Sequence, residues 1–140
     1  MSLLLFFSIS DCVSQQLIKT IGDVSKIKAN ETQFLNKPLS VLIKEINPPI
    51  KRVTATPSKD INSNVGYFIF NFVDTKQKDS LKSKNKIPVT IIVYVKENFE
   101  WDFHERAKGK GTVWTADDLK KYGSLTIVGF RVYGDSSILN

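Results

Sequence analysis

Glu100, Asp102 and His104 are spaced one residue apart and alternate with Phe99, Trp101 and Phe103. On an extended strand this spacing sends the polar groups to one face and the aromatics to the other, with neighbours on a face roughly 7 Å apart. Two carboxylates and an imidazole in a row could converge on a divalent metal, or pair His104 as base with Asp102 as its orienter for hydrolysis. The same residues also describe a half-buried strand with a solvated outer face, an explanation that asks less of the chain.

A second group is electrostatic. Lys76, Lys78, Lys82, Lys84 and Lys86 fall in a stretch, 74–87, with almost nothing apolar in it. It reads as an exposed, mobile connection between two strands. Its charge suits either an anionic surface or the simpler work of solubility and of keeping strand edges from pairing with other chains. Lys108-Gly109-Lys110-Gly111-Thr112 is a basic, glycine-rich turn, but the order of residues that a phosphate-binding P-loop requires is absent. Tyr67, Trp101, Phe103 and Trp114 could form a binding platform, although aromatics alternating along strands are more often core.

The composition removes several chemistries. Cys12 is the only cysteine and His104 the only histidine, so no internal disulfide, cysteine-based zinc site or histidine-rich cluster can be built. No Gly-x-Ser-x-Gly elbow marks a serine nucleophile. The chain has 140 residues, 41% of them hydrophobic and 24% charged, which suits one domain with its own core.

The elements that must position these residues can be read from periodicity. Leu39, Leu42, Ile43 and Ile46 form one apolar stripe, predicting a helix over 38–46 that Pro38 opens and Asn47-Pro48-Pro49 stops. Residues 16–28 carry apolar spacing compatible with helix or strand. Four strands are expected at 50–56, 66–73, 88–95 and 124–133. The second has apolar residues on both faces, with Phe68, Phe70 and Phe72 on one and Tyr67, Ile69 and Val73 on the other, as a central strand does. In the last, Leu125 and Ile127 are set against Val128, Phe130 and Val132. Thr115 is the expected N-cap of a two-turn helix that carries Asp117 and Asp118 first, Lys120 and Lys121 last, and Gly123 at a left-handed stop. Its thin apolar content marks it as a surface helix.

These elements predict an α+β domain: an antiparallel sheet of about four or five strands, a short amphipathic helix on one face, and a second small helix before the last strand. The chain divides into residues 1–14 and a single domain over 15–140. Leu3-Leu4-Leu5-Phe6-Phe7-Ser8-Ile9 is too short an apolar run to span a bilayer and right for the core of a signal peptide. Cys12 and Ser14 occupy the third and first places before Gln15, where a signal peptidase would cut. Asp11 counts against the alternative of a lipidated Cys12. Net charge is +6, and loss of Asp11 with the leader makes the mature chain +7.

Phe34-Leu35-Asn36-Lys37-Pro38-Leu39-Ser40-Val41-Leu42-Ile43-Lys44, taken with the leader, resembles a segment of small exported bacterial proteins. In them an aromatic, a Lys-Pro pair and a Leu-Ser-x-Leu helix open the domain. The resemblance implies export and carries over no catalytic residues.

The expected function is that of an exported binding or accessory protein of the periplasm or cell envelope, without cofactor and without a transmembrane span once mature. Its expected partner is another protein or an anionic envelope surface, with nucleic acid the least expected because of export. The alternatives are a metal-assisted hydrolase using Glu100, Asp102 and His104, and an inhibitor or immunity-type protein that blocks its partner with exposed loops.

Overall fold

The computed structural model describes residues 16–58 and 65–134. The proposed leader, 1–14, and the proposed cut before Gln15 lie outside them. Four strands, β1 (Arg52–Thr56), β2 (Gly66–Asn71), β3 (Thr90–Val95) and β4 (Ile127–Tyr133), form one antiparallel sheet in chain order. Four helices accompany them: α1 (Ser25–Ala29), α2 (Leu39–Lys44), α3 (Thr75–Ser83) and α4 (Ala116–Tyr122). The α+β expectation holds.

Side-chain alternation gives the sheet one apolar inner face. Val53, Phe68, Phe70, Ile91, Val93, Val95, Ile127 and Phe130 are all buried there. Against them pack Ile18, Val24, Ile27, Phe34, Leu39 and Leu42 from the first third of the chain, completing one core cluster. α1 lies on β4, where Phe34 meets Phe130 edge to face at 6.3 Å.

The last strand departs from the alternation read in the sequence. Tyr94 pairs with Gly129 but Val95 pairs with Ile127, so Val128 is an extra residue in β4. This bulge turns the strand's phase and brings Ile127 and Phe130, three residues apart, to the same inner face. A simple alternation had set them on opposite faces.

α2 is shorter than the 38–46 prediction, and Pro38 is its extended N-cap rather than its first helical residue. The stripe is nonetheless buried as expected at Leu39, Leu42 and Ile46, with Ile43 half-buried. Two N–H groups that a helix start leaves without intrahelical partners find carbonyls in the chain that leaves α4: Leu39 N donates to Leu125 O at 2.7 Å and Ser40 N to Gly123 O at 2.9 Å. Gly123 is not left-handed as anticipated. Its φ is −61°, and glycine is required there for space: a Cβ would stand 2.3 Å from Leu119 O and 3.3 Å from Ser40 Cβ. At the other end of α2, Ile18 donates to Glu45 O and accepts from Asn47 N, clipping the start of the described chain onto the helix.

The lysine-rich stretch is not an open connection. Its middle is helix α3, started by a reciprocal box in which Asp74 accepts from Gln77 N at 2.8 Å and Gln77 accepts from Asp74 N at 3.0 Å. Leu81 is buried and anchors it. Nor do residues 99–105 form a strand. Thr112 O takes the outward Val53 N–H of β1 at 2.7 Å, and residues 36–37 bond the outer edge of β4 at Ile127. The 97–113 segment therefore runs as a loop whose backbone is held largely by side chains and turns.

Candidate functional site

The alternating segment 99–104 delivers Phe99 and Trp101 inward and leaves Phe103 exposed with the polar groups. Phe99 stacks on Phe68 at 4.6 Å and Trp101 meets the same ring edge-on at 6.0 Å. Trp114 closes the cluster against Phe70 at 5.3 Å, and Tyr122 donates its hydroxyl to Glu100 O at 2.7 Å. Trp101 and Trp114 are thus a core flank, as the plainer reading of the aromatics had it. Phe103 stays 55% exposed, lying over Gly111, where a Cβ would be 2.3 Å from its ring.

Glu100, Asp102 and His104 all face solvent. Asp102 accepts the His104 backbone N–H at 2.8 Å, a local turn that uses the carboxylate without engaging the imidazole. Among the described residues no three His, Cys, Asp or Glu side chains come together as metal ligands. Lys108-Gly109-Lys110-Gly111-Thr112 forms two successive turns, with Lys110 N on Ala107 O and Val113 N on Lys110 O.

The most organised polar cluster in this region was not read from the sequence. Arg106 holds Asp118 with two hydrogen bonds, Nη1 to Oδ1 at 2.9 Å and Nη2 to Oδ2 at 2.7 Å. Its Nη2 also donates to Val113 O at 2.8 Å, and the guanidinium lies 4.1 Å from the centre of the Trp101 ring. Asp118 accepts the Thr115 N–H and hydroxyl as well, closing the capping box of α4. Burial works to raise the Asp118 carboxyl, but Arg106 and the Thr115 donors outweigh it and hold the group below its usual value. The same bonds raise Arg106, against the opposing effect of its own burial. The carboxylate and both Nη groups are engaged, while Arg106 Nε is buried without a hydrogen-bond partner among the described residues, and the pair fastens the loop to α4. An open cleft of about 200 Å³ beside it is lined by Asp102, Glu105 and Asp117 with Lys121, three carboxylates to one ammonium.

The outer face of the sheet is different. Three cross-strand rows compose it: Thr56, Tyr67, Tyr94 and Gly129; Thr54, Ile69, Ile92 and Arg131; Arg52, Asn71, Thr90 and Tyr133. The residues of the central strands on this face are half-buried, whereas those pointing the other way are buried in the core. Tyr67 and Tyr94 pack at 5.8 Å with their rings tilted by 56°. Arg131 lies beside Tyr133, whose hydroxyl is 3.4 Å from its Nη1. That hydroxyl, and then the Tyr94 hydroxyl, favour the charged guanidinium and raise its pKa. The rows hold two guanidiniums and no carboxylate.

α3 lies in the connection at one end of the sheet. It connects Asn71 of β2 to Thr90 of β3, the central pair of the row that begins at Arg52 and ends at Tyr133. Lys76, Lys78, Lys82, Lys84 and Lys86 are all exposed and, among the described residues, none is in an ion pair. Among the described residues, no helix is long and apolar enough to cross a membrane.

No family model, curated protein or solved structure matches this chain.

Proposed function

We propose that this chain is an exported, non-enzymatic binding or accessory protein of the cell envelope, and that it meets its partner with the outer face of the sheet. The observation that carries this reading is the composition of that face, whose rows hold two guanidiniums and no carboxylate. Tyr67, Ile69, Ile92 and Tyr94 are large apolar or amphipathic groups on the two central strands, half-buried where their neighbours on the other face are in the core. Arg52 and Arg131 stand on the outer strands, and between β2 and β3 α3 carries Lys76, Lys78 and Lys82, with Lys84 and Lys86 just after it. Such a surface attracts an anionic partner at long range and offers it apolar contact at short range. The export half of the reading rests on the leader. The scattered positions of Glu100, Asp102 and His104 lend the hydrolase alternative no comparable support.

The test has two parts on the native protein. Cell fractionation with intact-mass measurement should find a chain beginning at Gln15 in the periplasmic or envelope fraction. Co-sedimentation with isolated envelopes should be strong at low salt and weaken as salt is added. Replacing Lys78, Lys82 and Lys84 with glutamine should flatten that salt dependence while leaving the melting temperature nearly unchanged. A cytoplasmic chain that retains Met1, or absence of envelope binding at any salt concentration, would contradict the proposal.

A further inference from the structure

We infer that α3 and the Lys86-Ile87 tip that follows it form a binding edge for an anionic lipid bilayer, with the lysines on the headgroups and Ile87 entering the acyl boundary. This edge is separate from the outer sheet face and does not depend on that face being a binding surface. Every residue from Asp74 to Ile87 is exposed except Leu81, so one side chain ties the segment to the core. What it presents is nonetheless fixed by the backbone. After α3 Asn85 turns left-handed, with φ of 55°, while Asn85 N donates to Lys82 O at 3.0 Å and Lys86 N to Leu81 O at 2.9 Å, the two bonds of a Schellman closure. Pro88 then keeps Ile87 out of the helical region, and Val89, only 1% exposed, anchors the return to β3. Held between these two points, Ile87 is 66% exposed, the highest value among the described large hydrophobic residues.

The groups around that isoleucine select the partner. Lys76, Lys78, Lys82, Lys84 and Lys86 outnumber Asp74 and Asp79 along the segment, and Asp74 is already engaged in capping α3. Lys78 and Lys82 lie one turn apart on the helix, a like-charge spacing that disfavours the helix alone and that an anionic surface relieves. Between residues 74 and 87 there is no arginine and no aromatic. Single-stranded nucleic acid is held by stacking on aromatic rings, and individual carboxylates or phosphates are singled out by the planar fork of arginine. Neither device is present. Ammonium groups acting as point charges suit the diffuse negative potential of a lipid leaflet. An aliphatic side chain set among them gains only from a partner with a hydrocarbon interior, which a bilayer has and an acidic polysaccharide lacks.

The experiment is co-sedimentation of the full chain with vesicles of phosphatidylcholine containing phosphatidylglycerol, and of phosphatidylcholine alone, with amine acetylation read by mass spectrometry in the free and bound protein. Oligo-dT and heparin run in parallel. The five lysines should acetylate readily in the free protein and become protected on the anionic vesicles, while Lys120 and Lys121 of α4 stay reactive. Replacing Lys78, Lys82 and Lys84 with glutamine should weaken vesicle binding on the order of a hundredfold. Ile87→Asn, which leaves every charge in place, should weaken it about tenfold, with melting temperatures near wild type confirming that both variants fold. Equal vesicle binding by wild type and Ile87→Asn overturns the inference, as does binding to oligo-dT or heparin that persists at a salt concentration which releases the vesicles. Lysines that resist acetylation in the free protein also overturn it, because the edge would then be covered. Binding to isolated envelopes without binding to phosphatidylglycerol vesicles removes the lipid assignment and leaves the outer-face reading standing. Vesicle binding that needs Ile87 and the lysines supports the edge even if Tyr67 and Tyr94 prove unmoved by any partner.

Discussion

Arg106 and Asp118 meet through both terminal guanidinium nitrogens and both carboxylate oxygens, at 2.9 and 2.7 Å, and this contact joins the 97–113 loop to the first turn of α4. Their side chains are only 14% and 8% exposed, so each ion depends on the other for the solvation it has lost.

Asp118→Asn should therefore destabilise the protein at neutral pH by an amount near the lower end of the roughly 3–5 kcal/mol typical of breaking a buried pair. The pH dependence has a definite sign. A carboxyl whose folded pKa lies below its unfolded value contributes fully above the unfolded value, about 3.9, and loses that contribution as pH falls through the folded one. Urea melts of wild type and variant should thus differ most at pH 6–7 and converge in strong acid. A gap independent of pH would mean that the ion pair is not its cause.

The docking of α2 can be tested with two substitutions on one helix. Leu42 is fully buried and Lys44 exposed. Leu42→Ala should cost roughly 2–5 kcal/mol through lost transfer energy and the cavity left behind, while Lys44→Ala should be nearly silent. Equal small effects in denaturant melts would mean that the stripe is not packed.

Gly123 offers a test in which two principles disagree in sign. Its φ of −61° and ψ of −23° suit any residue, and at such a position Gly→Ala ordinarily adds about 0.4–1 kcal/mol by restricting the unfolded chain. The backbone oxygen of Leu119 would stand 2.3 Å from the new methyl, which forces α4 to open its last turn. We expect the clash to win, with Gly123→Ala losing about 1–3 kcal/mol in a thermal or urea melt. A gain in stability would show that this turn yields easily.

Much of this architecture was legible because period-2 and helical patterns are local. Phe68, Phe70, Ile91 and Val93 declare the inner face within their own strands, and Thr115 with Asp118 declares the start of α4. What escaped depends on partners distant in sequence or on weak local signals. The Val128 bulge exists only in relation to β3. The 99–104 alternation imitates a strand, yet its polar half turns back on its own backbone at Asp102 and His104. α3 was hidden by its single buried residue, Leu81, although Asp74 three residues before Gln77 is a capping signal the sequence does display. The outer face was masked by its own composition. Tyr67 and Ile69 made β2 look buried on both sides, and only the tertiary arrangement leaves them half-buried while Phe68 and Phe70 are fully in the core.

The central claim is that this outer face, and not the loop around Arg106, is where the protein meets its partner. Chemical-shift mapping of the labelled protein against a soluble envelope extract tests it most directly. The account predicts perturbations concentrated on Tyr67, Ile69, Ile92, Tyr94 and Arg131, fading with added salt, and little change at His104 or Asp118. Perturbations centred on the 97–113 loop, with the β2 and β3 signals unmoved, would contradict it.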